Sequence, residues 1–84
     1  MSSFLTSTFY HFVELNDYQD LQPGIQKFCD DQMLKGTILL ANEGINGTLS
    51  GDEKGVRAFH KYIKTSPLFN KKFIGLTHKE SWAS

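Results

Sequence analysis

An α+β fold with the element order β-α-β-β-α-β is predicted for this chain of 84 residues. The expected architecture is a four-stranded antiparallel sheet with two helices on one face. Three observations predict it. Two stretches with helical apolar spacing, about 21–34 and 53–64, flank the glycine-rich block KGTILLANEGINGTLSG at 35–51. That block reads as a buried strand, a tight turn and a returning strand. Apolar and aromatic runs before the first helix and after the second supply the remaining two strands.

The elements follow in order. Thr8 to Leu15 is rich in aromatic and β-branched residues and reads as the first strand. Phe9, His11, Val13 and Leu15 point one way, and Tyr10, Phe12 and Glu14 the other. Both faces carry apolar groups, which suits a central strand. Asp20 is the expected N-cap of the first helix, with Pro23 tolerated in its first turn. Leu21, Ile25, Phe28 and Cys29 form its apolar stripe, and Gly36 is the expected left-handed residue at its end. Thr37 to Ala41 is the second strand. Asn42-Glu43-Gly44 is a three-residue turn, and Ile45 to Ser50 the third strand. Asn46-Gly47 is a competing turn signal; the first placement makes Gly47 a bulge or a close backbone approach.

Ser50 and Glu53 have capping-box spacing ahead of the second helix. Val56, Phe59 and Ile63 give that helix its apolar stripe, with Lys54, Arg57, Lys61 and Lys64 on the opposite side. Ser66-Pro67 closes it. Lys72 to His78 is the expected fourth strand and Lys79 to Ser84 a tail. The order is that of the split βαβ, or ferredoxin-like, arrangement.

Composition narrows the function classes. No run approaches the roughly 18 apolar residues of a membrane helix, and MSSFLTSTF lacks the basic and long apolar regions of a signal peptide. One cysteine, Cys29, allows no internal disulfide and fits a reducing cytoplasm. Net charge is zero but unevenly spread: residues 1–53 hold eight acids and two lysines, and residues 54–84 seven bases and one acid. Such asymmetry suits either an anionic partner or mutual attraction of the two halves.

Candidate chemistry is sparse. Cys29 lies on an apolar helix face with no cation a turn before it, so it reads as a structural thiol. His11, His60 and His78 have no metal-ligand spacing, and no metal or cofactor is expected. Gly44-Ile45-Asn46-Gly47 matches the GxxG clamp of KH domains but falls in a hairpin instead of between helices. Its glycine amides, with Asn42 and Asn46, could contact a phosphate or a base. An RRM mechanism needs aromatics on the first and third strands, and the third has none. The loop 15–21, LNDYQDL, carries two acids and no arginine, which argues against phosphatase chemistry. The basic stripe of the second helix suits a phosphate backbone.

YHFVEL at 10–15, KGTILLANEGINGTLSG at 35–51 and KESWAS at 79–84 resemble the N-terminal segment of the rhodanese-domain tRNA uridine hydroxylases. The resemblance covers nearly the whole chain. It implies an acylphosphatase-like N-terminal domain of a longer cytoplasmic enzyme. That parent would hydroxylate the wobble uridine of tRNA at carbon 5 with molecular oxygen, its reactive cysteine lying in a rhodanese domain beyond this segment. The expectation is one non-catalytic accessory domain over 1–84. It would hold tRNA through Lys54, Arg57, Lys61 and Lys64, with Asn42, Asn46 and Gly47 of the hairpin. In the alternative it packs its open sheet face, with Tyr10 and Phe12, on the rhodanese domain.

Overall fold

The computed structural model describes residues 4–69 and 71–83. Its elements are β1 (Phe4–Phe12), α1 (Tyr18–Asp31), β2 (Lys35–Ala41), β3 (Gly44–Gly51), α2 (Glu53–Thr65), a single 3-10 turn (Pro67–Phe69) and β4 (Thr77–Ala83). The sheet order is β2-β3-β1-β4 with every pair antiparallel. The predicted fold class is the observed one.

Alternation in β1 sets the two layers. Leu5, Ser7 and Phe9 are buried under the helices, while Phe4, Thr8, Tyr10 and Phe12 stand exposed on the other side. Leu21, Ile25 and Cys29 of α1 meet Val56, Phe59 and Ile63 of α2 and Ile45 and Leu49 of β3 in one core. Phe28 stacks on Tyr62 at 4.2 Å and 4°, joining the two helices face to face. Such a pair adds roughly 0.5–1.5 kcal/mol beyond the area it buries.

Several element boundaries differ from expectation. The cap of α1 is Asp17, three residues before Asp20: its carbonyl accepts from the amides of Asp20 (2.9 Å) and Leu21 (3.3 Å). Pro23 therefore lies inside the helix. The residue that ends α1 in the left-handed conformation is Met33 (φ 58°), whereas Gly36 lies in β2. Met33 donates to the Asp30 carbonyl (3.0 Å) and Leu34 to that of Cys29 (2.9 Å), the paired bonds of a Schellman ending. Ser50 does not cap α2. It belongs to β3 and its hydroxyl bonds Thr6 Oγ1 at 3.2 Å, while Asp52 takes the cap position without a side-chain bond.

β1 ends at Phe12, not Leu15. The next segment leaves the ladder to hold the β2–β3 turn: Val13 donates to Glu43 O (3.0 Å) and Leu15 to Asn42 O (2.9 Å). The turn itself has two central residues, Asn42 and Glu43, because Ala41 pairs with Gly44. Gly44 takes φ 147°, and a Cβ there would collide with the carbonyl oxygen of His11. Gly47 makes no bulge; it pairs in register with both Ile38 and Phe9. It is a close approach, since an added Cβ would sit 2.6 Å from Thr37 O.

The largest correction concerns the C-terminal quarter. Residues 71–75 form turns, closed by bonds such as Leu76 N to Phe73 O (3.0 Å). Phe69, Phe73 and Leu76 anchor this connection in the core. Residues 79–83 of the expected tail, with Thr77 and His78 from the end of the expected strand, form β4, which pairs with β1 from Thr77 to Ala83; the final residue of that tail, Ser84, lies outside the described set. β4 is a polar edge strand held through its main chain, with little apolar alternation to announce it.

Candidate nucleic-acid interface

α2 presents Lys54, Arg57 and Lys61 exposed and Lys64 half-buried. They share a helix because the apolar residues at 56, 59 and 63 claim the other side. The stripe is not uniformly available. Arg57 Nε bonds Glu53 at 2.8 Å, and its two terminal nitrogens reach Glu80 at 3.2 and 3.4 Å. The bond to Glu53 and the charge of Glu80 hold this guanidinium above its ordinary pKa. Among the described residues, Lys54, Lys61 and Lys64 form no ion pair. Within the stripe, the cations that could meet a phosphate without breaking a bond are those three.

The hairpin residues lie apart from this stripe and from one another. Asn42 is exposed in the β2–β3 turn. Asn46 projects from the open side of the sheet, paired across strands with Tyr10 and Leu39. Gly47 faces the helices, and an added Cβ would lie 3.2 Å from Phe9 Cζ. α2 starts just past Gly51, at the end of β3 remote from that turn. The structure thus gives two separate surfaces on opposite sides of the sheet.

Other chemistry is closed off. Cys29 is buried beside Leu34, and burial, then the charge of Asp30, pushes its thiol up to about 11. The thiolate a nucleophile needs is suppressed at neutral pH. In the segment after β1, the amides of Val13 and Leu15 are already committed to the turn carbonyls. Among the described residues no group of His, Cys, Asp and Glu is placed to hold a metal ion. No helix is long and apolar enough to cross a membrane.

A polar chain between α2, β1 and β4 escaped sequence reasoning. Ser7, fully buried, bonds His60 Nε2 at 2.7 Å. The His60 ring stacks on His78 at 3.9 Å and 18°. His78 Nε2 bonds Glu80 at 2.8 Å, and Glu80 continues to Arg57. Burial first, then the neighbouring His78 and Lys64, lowers the His60 pKa to about 4. The bond to His78 and the charge of Arg57 hold the Glu80 carboxyl below its usual value. A hydroxyl with no exposure cannot meet a substrate, so Ser7 and His60 form a structural pair and not a nucleophile with its base. Its partners are 53 residues apart, a distance at which no local pattern signals a contact.

Comparison with known proteins places the domain. Residues 4–84 match the family described as UPF0176 acylphosphatase like domain. The chain is 43% identical over 83 residues to a tRNA uridine(34) hydroxylase of Rhizobium leguminosarum bv. trifolii, spanning 99% of this chain and 26% of that protein. It is 43% identical over 84 residues to the protein of the same name from Albidiferax ferrireducens, spanning 100% and 25%. A third of that name, from Wolbachia pipientis wMel, is 42% identical over 81 residues, spanning 96% and 28%. The chain therefore covers about a quarter of the length of these relatives. With the family match running from Phe4 to Ser84 over this sheet and its two helices, the chain belongs to the UPF0176 acylphosphatase-like domain family.

Proposed function

We propose that this domain is the accessory, tRNA-holding module of an enzyme that hydroxylates uridine 34 of tRNA. The observation that carries the reading is 43% identity, across 99–100% of this chain, to about a quarter of the length of proteins named for that activity. The geometry adds three lysines on one helix, Lys54, Lys61 and Lys64, that form no ion pair among the described residues. They provide the electrostatic contact to a phosphate backbone. Arg57 has a different role: it ties α2 to β4 through Glu80. Hydroxylation at carbon 5 with molecular oxygen, and the reactive cysteine, belong in this reading to the rest of the enzyme, including a rhodanese domain. Cys29, buried with a raised pKa, takes no part.

The test is a titration of folded tRNA with the chain at several salt concentrations, beside a Lys54→Glu/Lys61→Glu/Lys64→Glu variant. For every duplex phosphate that a lysine no longer neutralises, the salt slope falls by about 0.9. A variant that binds tRNA like the parent at low salt sinks the role of the stripe. No tRNA binding by either protein sinks the module's role altogether.

A further inference from the structure

We propose that the open face of the sheet binds single-stranded RNA, stacking unpaired bases on Tyr10 and Phe12. The proposal rests on the reading that the domain holds tRNA, and adds a second surface to the α2 stripe.

Register defines this face. One row runs Leu39–Asn46–Tyr10–Thr77 across all four strands, and the next runs Thr37–Thr48–Thr8–Lys79. Tyr10 is 59% exposed and Phe12 79% exposed, with ring centroids 5.8 Å apart in an edge-to-face arrangement. Neither ring is needed by the core, since both lie on the side away from the helices. Asn46 stands directly across from Tyr10, with a side-chain amide able both to donate to and accept from a base edge.

The strand charges on this face favour a polyanion, while the carboxylate of Glu43 in the β2–β3 turn shares a recess with Tyr10, Phe12 and Asn46 and would bias an RNA backbone toward Lys79. By strand alternation the charged strand residues on this face are Lys35 and Lys79, while Glu80, the carboxylate within the strands, lies on the helix side with Arg57. Neither lysine forms an ion pair among the described residues. Between the aromatic pair and Lys35 the rows carry threonine and serine hydroxyls, Thr6 and Ser50 bonded to each other. The centre of a protein-docking patch is depleted of charge and of lysine, whereas Lys79 stands in the row next to Tyr10. Flat rings beside an amide, hydroxyls and free lysines match the stacking and electrostatic groove by which single strands are held. Both rings come from one strand, so successive bases would follow β1 instead of crossing to the third strand.

The test uses the full chain and fluorescein-labelled oligouridine, read by anisotropy. A second oligouridine carries a central 2-aminopurine, whose fluorescence is quenched by stacking. Tyr10→Ser/Phe12→Ser should lose binding, each stacked ring being worth roughly 5- to 150-fold in affinity. It should also abolish the quench and leave the melting temperature unchanged. Lys79→Ala should cut the salt slope by about 0.7. Phe12→Leu keeps the apolar surface without the ring; it should bind more weakly, and parent-like binding by this variant overturns the proposal whatever the serine variant does. So does an unchanged quench in the serine variant. Self-association that disappears in the serine variant with RNA affinity intact overturns it in favour of a contact between copies. If tRNA binds through the α2 lysines and oligouridine does not bind, this proposal falls and the tRNA-holding reading stands. If neither RNA binds, both fall.

Discussion

Acidification from pH 7 to pH 4 places a charge on His60 in a site built for the neutral ring. The imidazole is buried, bonded to Ser7, stacked on His78 and close to Lys64 and Arg57; Glu80 alone favours its charged form. With a folded pKa of about 4 against the ordinary 6.5, the unfolded chain binds more protons between these values. Stability therefore rises with pH across that window: the contribution is complete above about 6.5 and is lost as pH falls toward 4. Integration gives about 2 kcal/mol lost by pH 5 and about 3 kcal/mol by pH 4. A domain this small has only about 4–12 kcal/mol in total. With a urea m-value of about 1 kcal/mol/M, the midpoint should drop by about 3 M. The matched control is Ser7→Ala/His60→Phe, which removes both hydrogen-bonding partners together and keeps an aromatic ring against His78. Urea titrations at intervals from pH 4 to 8 should show the parent falling steeply and the double variant much less, its residual slope at the acid end coming from Glu80. Parallel curves for the two proteins would refute the assignment of the transition to His60.

Two further outcomes test the backbone. Met33 occupies the left-handed region at φ 58° with its side chain exposed, so Met33→Gly should raise stability by up to about 1 kcal/mol, read as a higher urea midpoint at constant m-value. Gly44→Ala, by contrast, drives a Cβ into the His11 carbonyl oxygen at φ 147°. It should cost at least about 2 kcal/mol and increase amide exchange at Val13 and Leu15, whose bonds hold the adjacent turn; unaltered exchange there would break the link between turn and segment.

Where local periodicity governs, the sequence was sufficient. The apolar stripes of both helices, the alternation of β1 and the glycine block between them led to the right order and layering. That the chain turns just before Gly44 and not at Gly47 was also legible, because Gly44 needs a positive φ whereas Gly47 merely packs closely; the turn is two residues long instead of the expected three. The errors have physical causes. Phe73, Ile74 and Leu76 look like a strand, but Phe73 and Leu76 serve as anchors of a turn-rich connection and Ile74 is exposed. β4 has too few apolar residues to be seen, since an edge strand can be held by main-chain pairing. The pattern of α2 revealed its cations, but it could not show that Glu80, 23 residues away, reaches Arg57. The stacked histidines likewise come from separate elements and exist only after folding.

The pairing of Phe4 with Ala83 brings the beginning of β1 and the end of β4 to one pole of the sheet. Any chain before the first and any chain after the second must leave from that pole. At about 3.3 Å per residue, β1 carries Phe12 some 26 Å away, so the aromatic pair and the Asn42–Glu43 turn occupy the far pole. A domain joined to further chain at that pole would stand like a finger on its knuckle. Its tip would then be the part farthest from the attachment, while the histidine chain ties α2 to β1 and β4 within the domain.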